Sequence, residues 1–271
     1  MRWAAERLVV GGRDQAGHHS LADEPQWLAR HLAGVPVVVG ARRRRTARVA
    51  CDEFQADVLV LDDGFQHRQL HRDCDIVLVR ARTPFDGGRL FPRGPMREPL
   101  ASLRRADVIL VTKADEALGT LAALRERLQA IAPAALVVTA VHAPSTLTDG
   151  ISGAVSAPQR VRGLRVGMCS SIGDPDGFEE TLRRLEAVIA WHARFPDHHA
   201  YRQDDWARLV QRMTRERPEA LVTTEKDWVR LQPIVSAGLP SPVPVWVLGV
   251  QMTILDGAQE LHDRLARVSA R

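Results

Sequence analysis

At 271 residues, with 45% hydrophobic and 26% charged side chains, the chain can bury a sizeable core, which excludes disorder as its ground state. No apolar run approaches the ~18 residues of a spanning helix, and the opening Met1-Arg2-Trp3-Ala4-Ala5-Glu6-Arg7 has no apolar stretch of a secretory signal, so the protein is expected to stay in the cytoplasm. The formal charge is only +4, and Cys51, Cys74 and Cys169 lack metal-ligand spacing and read as buried thiols.

In chain order, Asp23-Glu24-Pro25 opens an amphipathic helix expected over 24–32, where Asp before Pro is also an ordinary N-cap. Val35–Val39, Asp57–Leu61, Ile76–Val79 and Val108–Val111 are short, β-branched and continuous, as strands buried on both faces are. Helical patterns fall near 46–55, 98–105 and 116–131, so strand and helix alternate and a parallel sheet is expected. Residues 143–160 are small and polar with two prolines and are expected to form a linker. Beyond it come a strand at 164–169, a helix at 176–187, strands at 188–194 and 220–224 around a helix at 203–216, then a strand at 243–250 and a helix at 257–268. The expected organisation is a core over 1–142, the linker, and a smaller α/β module over 161–271.

The sharpest chemical signal is Val58-Leu59-Val60-Leu61-Asp62-Asp63-Gly64-Phe65-Gln66-His67, which sets two carboxylates at the carboxyl end of an expected strand. Folds that handle nucleotides hold magnesium there through acidic residues, although an Asp-Gly turn also ends many strands. Phe195-Pro196-Asp197-His198-His199 follows another strand, where an imidazole can share a proton with a carboxylate. Arg89-Leu90-Phe91-Pro92-Arg93-Gly94-Pro95-Met96-Arg97-Glu98-Pro99-Leu100 places three arginines on a rigid loop before a helix, a setting that suits an anion. Thr112-Lys113-Ala114-Asp115 is similar to the base-reading Thr/Asn-Lys-x-Asp element of guanine-nucleotide proteins, which keeps a guanine-nucleotide switch as a rival reading. Arg42–Arg45 has no interleaved aromatic residues and reads as a solvated charged face, so no nucleic acid is expected as a partner.

Taken in order, Asp23-Glu24-Pro25, Val35–Gly40, Leu61–His67, Gly88-Arg89-Leu90, Gly94–Leu100, Phe195–His199 and Thr223-Thr224-Glu225-Lys226-Asp227 resemble the tetraacyldisaccharide 4′-kinase family of the lipid A pathway. The resemblance implies an α/β fold with an incomplete P-loop-NTPase-like parallel sheet and a second, smaller α/β module. It implies transfer of the γ-phosphate of ATP, with Mg2+, to the 4′-hydroxyl of an acylated glucosamine disaccharide phosphate. The work would be done peripherally at the cytoplasmic membrane surface, on the cytoplasmic side of the inner membrane. By the same resemblance Asp23 matches the base that takes the hydroxyl proton and His198 the imidazole paired with it. Asp62 and Asp63 match the magnesium-handling carboxylates, and Gln66, His67, Arg97 and Glu98 line that site.

One departure is large. The family's Gly-Gly-Thr-Gly-Lys-Thr-Pro loop has no counterpart here, and Gly12–His19 has only the glycine spacing, with His18 and His19 in place of Lys and Ser/Thr. Without the loop's amides and lysine the phosphates lose most of their cradle, so the chain as given is expected to be inactive alone. A catalytically silent relative that binds a glycolipid or a protein partner is the second rival reading.

Overall fold

A computed structural model describes residues 6–10, 13–14, 25, 28–29, 32 and 34–269. Near the start, β1 (Glu6–Val10) pairs antiparallel with β2 (Arg13–Asp14), and β3 (Val37–Gly40) joins β1. The described residues form two compact units, one drawn from residue 6, 40–143 and 252–269 and the other from within 7–39 and 144–251. Both are α/β with parallel strands, the expected class.

In the first unit, α1 (Arg43–Phe54) leads to β4 (Ile76–Arg80) and β5 (Val108–Thr112), and β5 lies parallel between β4 and the start of β6 (Leu136–Asp149). All five residues of β5 are buried, as a continuous apolar run between two neighbours must be. One face carries Ile109, Val111 and Val137 against Leu124 and Leu128 of α2 (Leu121–Ile131) and Leu103 of the 3-10 turn Leu100–Arg105. The other face carries Val108, Leu110 and Val138 against Leu261 of α6 (Ala258–Ser269). Each fully buried Leu or Ile stabilises the fold by about 1.5–3 kcal/mol, so β5 anchors this unit.

In the second unit, β8 (Arg165–Ser170), β9 (Val188–Arg194), β10 (Ala220–Thr224) and β11 (Val245–Asp256) pair in the order β11-β10-β8-β9, all parallel. Val166, Met168, Val222 and Leu248 pack against Phe178 and Leu182 of α3 (Pro175–Arg184). On the opposite face Cys169, Leu221 and Val245 pack against Trp206, Leu209 and Met213 of α4 (Gln203–Glu216) and Leu231 of α5 (Glu225–Ala237). Asp174 caps α3 by accepting from the Gly177 amide, with Pro175 in the first turn where a missing N–H costs nothing.

Four expectations change. The 143–160 stretch is the end of β6, the short strand β7 (Val155–Ser156) and a 3-10 turn (Pro158–Val161), not an unstructured linker. Its small polar residues build a hairpin: β6 and β7 pair at Leu147↔Ser156 and Thr148↔Val155, and Asp149 Oδ1 accepts from the Ile151 and Ser152 amides. The chain also returns to the first unit after 251, so α6 covers the β4-β5-β6 sheet and does not complete a C-terminal module. Asp57–Leu61 is outside any strand, with Val58, Leu59 and Val60 exposed at 48%, 38% and 93%. Finally, only Cys169 is a buried thiol; Cys51 is exposed and Cys74 half-buried.

Candidate functional site

Asp62 and Asp63 form the turn after the extended 57–61 segment, and Asp63 takes a positive φ of 51°, which Asp tolerates better than most residues. The next residue is glycine because the chain folds tightly over Leu61: a β-carbon at position 64 would lie 2.9 Å from the Leu61 Cβ. The His67 amide then closes onto the Gly64 carbonyl at 2.9 Å. Both carboxylates and Gln66 are exposed on this compact loop, whereas His67 is half-buried. His67 Nε2 is buried without a hydrogen-bond partner among the described residues, a group that water or a ligand would satisfy.

Arginines hold the loop from outside. Arg43 Nη2 donates to the Asp62 carbonyl at 3.0 Å and Arg44 Nε to the Gln69 carbonyl at 3.0 Å, so two arginines of the 42–45 run bind the loop, where a solvated face was expected. The 89–98 segment brings two more residues to it. It doubles back through Phe91 N to Met96 O, 2.8 Å, and Met96 N to Arg89 O, 3.2 Å. Gly94 is required at the close approach, since a β-carbon there would lie 2.4 Å from the Arg89 carbonyl oxygen. That turn delivers the Arg97 guanidinium onto the Asp63 carboxylate as an ion pair.

Glu98, next in sequence, meets a different partner. Arg105 grips it with both Nη atoms, at 2.8 and 3.0 Å, while the Arg105 guanidinium lies 4.3 Å from the centre of the Phe65 ring and donates to the Phe65 carbonyl at 3.3 Å. The Arg105 hydrogen bonds hold the Glu98 carboxyl below the usual carboxylate range. Glu98 therefore braces the loop through Arg105, and the structure brings Asp63, Arg97, Glu98 and the 62–67 backbone together. Arg105 carried no motif of its own; only its place in the helix after Arg97-Glu98 hinted at it.

Among the described residues no group of three or more His, Cys, Asp and Glu is arranged to hold a metal ion. Asp62 and Asp63 nonetheless fit magnesium, which takes one or two carboxylates and completes its shell with water and phosphate oxygens. Because Asp63 is paired with Arg97, Asp62 carries the less compensated charge.

His198 lies in the second unit, on the turn after β9, exposed and at a positive φ of 56°. Its amide donates to the Ser171 carbonyl at 3.1 Å and to Asp197 Oδ1 at 3.0 Å. Asp23 lies outside the described residues. Lys113 also has a positive φ, 53°, and its ammonium pairs with Glu116 at 3.2 Å, in a turn at the end of β5. No helix among the described residues is long and apolar enough to cross a membrane.

A model of the tetraacyldisaccharide-1-P 4′-kinase family, LpxK, matches residues 4–270. A tetraacyldisaccharide 4′-kinase of Anaeromyxobacter dehalogenans strain 2CP-C is 42% identical over 248 residues, 90% of this chain and 64% of that protein. A tetraacyldisaccharide 4′-kinase of Syntrophus aciditrophicus is 38% identical over 226 residues, 81% of this chain and 60% of that protein. The chain thus spans about 60–64% of the length of these curated relatives. Among solved structures, a crystal structure of LpxK from Aquifex aeolicus in complex with ATP matches with a TM-score of 0.69 at 26% identity, over 97% of this chain and 74% of that one.

Proposed function

The chain belongs to the tetraacyldisaccharide-1-P 4′-kinase family, and on that premise we propose that it carries the metal-handling and acceptor-activating part of an ATP-dependent lipid A precursor kinase. The observation that carries the reading is the exposed Asp62–Asp63 pair on a loop fixed by Arg43, Arg44 and Arg105, with Arg97 set on Asp63. ATP is the donor, by likeness to the Aquifex aeolicus protein, and the acceptor is the 4′-hydroxyl of an acylated glucosamine disaccharide phosphate at the cytoplasmic membrane surface.

In this reading Asp62 would hold Mg2+ with Asp63 in support, and the ion, when bound, would supply positive charge to neutralise the phosphates. Arg97 supplies a fixed guanidinium beside those carboxylates, suited to a phosphoryl oxygen. Gln66 and His67 line the same loop, and the unsatisfied His67 Nε2 is placed to accept or donate one hydrogen bond there. Asp23 is the base for the sugar hydroxyl, and the His198 imidazole is its partner. Phosphoryl transfer of this kind depends on position and charge rather than on covalent catalysis.

The given sequence has no Gly-x4-Gly-Lys-Ser/Thr, so these 271 residues alone are expected to hold MgATP weakly. The test compares the chain alone with the chain joined to a relative's nucleotide-loop segment, following label from γ-phosphate into tetraacylated disaccharide 1-phosphate. Transfer by the joined protein only is expected. Low-micromolar MgATP binding by the chain alone would overturn the first part, and a joined protein that binds ATP yet transfers nothing would overturn the second.

A further inference from the structure

Thr223-Thr224-Glu225-Lys226-Asp227 is a family-like string to which the reading above gives no task. Asp227 lies on the first turn of α5, just past the carboxyl end of β10, and its side chain is 0% exposed. Ligands of open parallel sheets gather at that end of the strands, so a buried carboxylate there needs a reason beyond packing. A buried carboxylate is costly unless hydrogen bonds surround it.

They do. Asp227 Oδ1 accepts from the Ser171 amide at 2.9 Å, the Ser171 hydroxyl at 2.6 Å, the Tyr201 hydroxyl at 3.0 Å and Arg230 Nη2 at 3.3 Å. Oδ2 accepts from the Thr224 hydroxyl at 2.7 Å, and that same hydroxyl oxygen caps α5 by accepting from the Asp227 amide at 3.2 Å. Burial, together with the neighbouring Cys169 and Asp227, pushes the Tyr201 phenol far above its ordinary range, so it stays a donor.

Every donor on Oδ1 also touches the turn that carries His198. Ser171 accepts from the His198 amide through its carbonyl at 3.1 Å. Arg230 donates to the His199 carbonyl at 3.3 Å and to the Ser171 carbonyl at 3.4 Å. Tyr201 closes the turn and packs edge-on against Phe195 and His199, with ring centres 5.1 and 5.3 Å apart. The left-handed backbone of His198 costs conformational energy that its surroundings must offset. We propose that Asp227 is a positioning residue: through Ser171, Tyr201 and Arg230 it fixes the Phe195–Tyr201 turn and so aims the His198 imidazole.

The inference rests on the reading of His198 as the partner of the catalytic base, and two readouts keep the two apart. Positioning is read on the chain itself by NMR, with His192 as internal control because Ser170 Oγ and Glu179 Oε2 pin its ring at 2.8 and 3.0 Å. In Asp227→Ala the His198 amide should exchange roughly tenfold or more faster and its ring resonances should move, while those of His192 stay in place. If Asp227→Ala does not fold, Tyr201→Phe, which removes one donor and little volume, should give the same pattern at smaller size. His198 amide exchange and ring shifts unchanged in a folded variant would overturn the proposal. The catalytic reading is tested separately, by His198→Ala in the phosphotransfer assay of the joined protein. Full turnover there sinks the role of His198 but leaves the positioning result standing. Loss of turnover in His198→Ala, with full turnover in an Asp227 variant whose His198 has moved, overturns the claim that the aim matters.

Discussion

The two turns that carry the proposed chemistry are held in opposite ways. Around Asp62 and Asp63, exposed carboxylates sit on a loop gripped by arginines through its backbone, and Asp63 pairs with the exposed Arg97. Around His198, an exposed imidazole sits on a turn fixed from below by a carboxylate with no exposure at all. A metal-handling loop must leave its carboxylates open to ions and phosphates and can be braced only through its backbone. A residue that orients a proton carrier needs one geometry, and a buried, fully bonded anchor supplies it. The difference predicts that side-chain changes in the first region affect function without folding, and that anchor changes in the second affect both.

The largest expected effect lies in the first region. In the joined protein, Asp62→Ala should lower turnover by about 10²-fold or more, with melting changed by no more than about 0.5 kcal/mol, because the side chain is exposed. Asp63→Ala should fall in the same direction, and the pair it breaks is solvent-exposed, so its loss should leave melting nearly unchanged. Turnover and melting are measured on the same preparations. Near-normal turnover in either variant removes that residue from the metal site.

The brace is next in size and is the exception within the first region, since Glu98 and Arg105 are less exposed than the carboxylates they support, with side chains 18% and 28% exposed. Arg105→Ala should destabilise the first unit by about 1–3 kcal/mol, because it strands Glu98 and frees the Phe65 carbonyl. The pH dependence follows from the lowered Glu98 pKa. Its contribution is present in full above the unfolded carboxyl value and is lost as pH falls through the lower folded value. Melting of the parent should therefore drop on acidification below the ordinary glutamate range by more than that of Glu98→Gln. Parallel melting curves for the two proteins would show that the pair adds nothing.

The sequence made the loop's chemistry legible and left its support hidden. Asp62, Asp63, Arg97 and Glu98 stand in strings whose order is informative, and the fold brings Arg97 onto Asp63. Arg43, Arg44 and Arg105 were not legible as supports, because an arginine that donates to a backbone carbonyl leaves no periodicity or spacing to read. Asp227 was visible as part of a string, but its role depends on Ser171 and Tyr201, 56 and 26 residues away. Strands β4, β5, β8, β9 and β10 followed from their apolar runs. Helix α5 did not, because Pro233 interrupts the helical pattern and Asp227 puts a carboxylate on the buried side. The long β6 was obscured by Pro144 and the small polar residues beyond it, which continue into a hairpin.

The smallest expected effect sits beside the largest. Val58-Leu59-Val60 reads as a strand buried on both faces, yet Val60 is 93% exposed and the segment pairs with no strand among the described residues. The two pictures give different energies for one substitution. A valine buried in a sheet loses about 1.5–3 kcal/mol of transfer energy when replaced by a polar residue, whereas an exposed one changes stability by no more than about 0.5 kcal/mol. For Val60→Thr, which keeps the β-branched shape and so the preference for extended backbone, the structure predicts the second outcome. It also predicts a gain in solubility, because Val58, Leu59 and Val60 form a short run of exposed apolar side chains. Denaturant unfolding of the two proteins, with their solubility limits measured in the same buffer, decides the matter: a loss of about 1.5 kcal/mol or more would mean that the segment is packed as the apolar pattern reads, and that the openness of the Asp62–Asp63 loop beside it must be judged again.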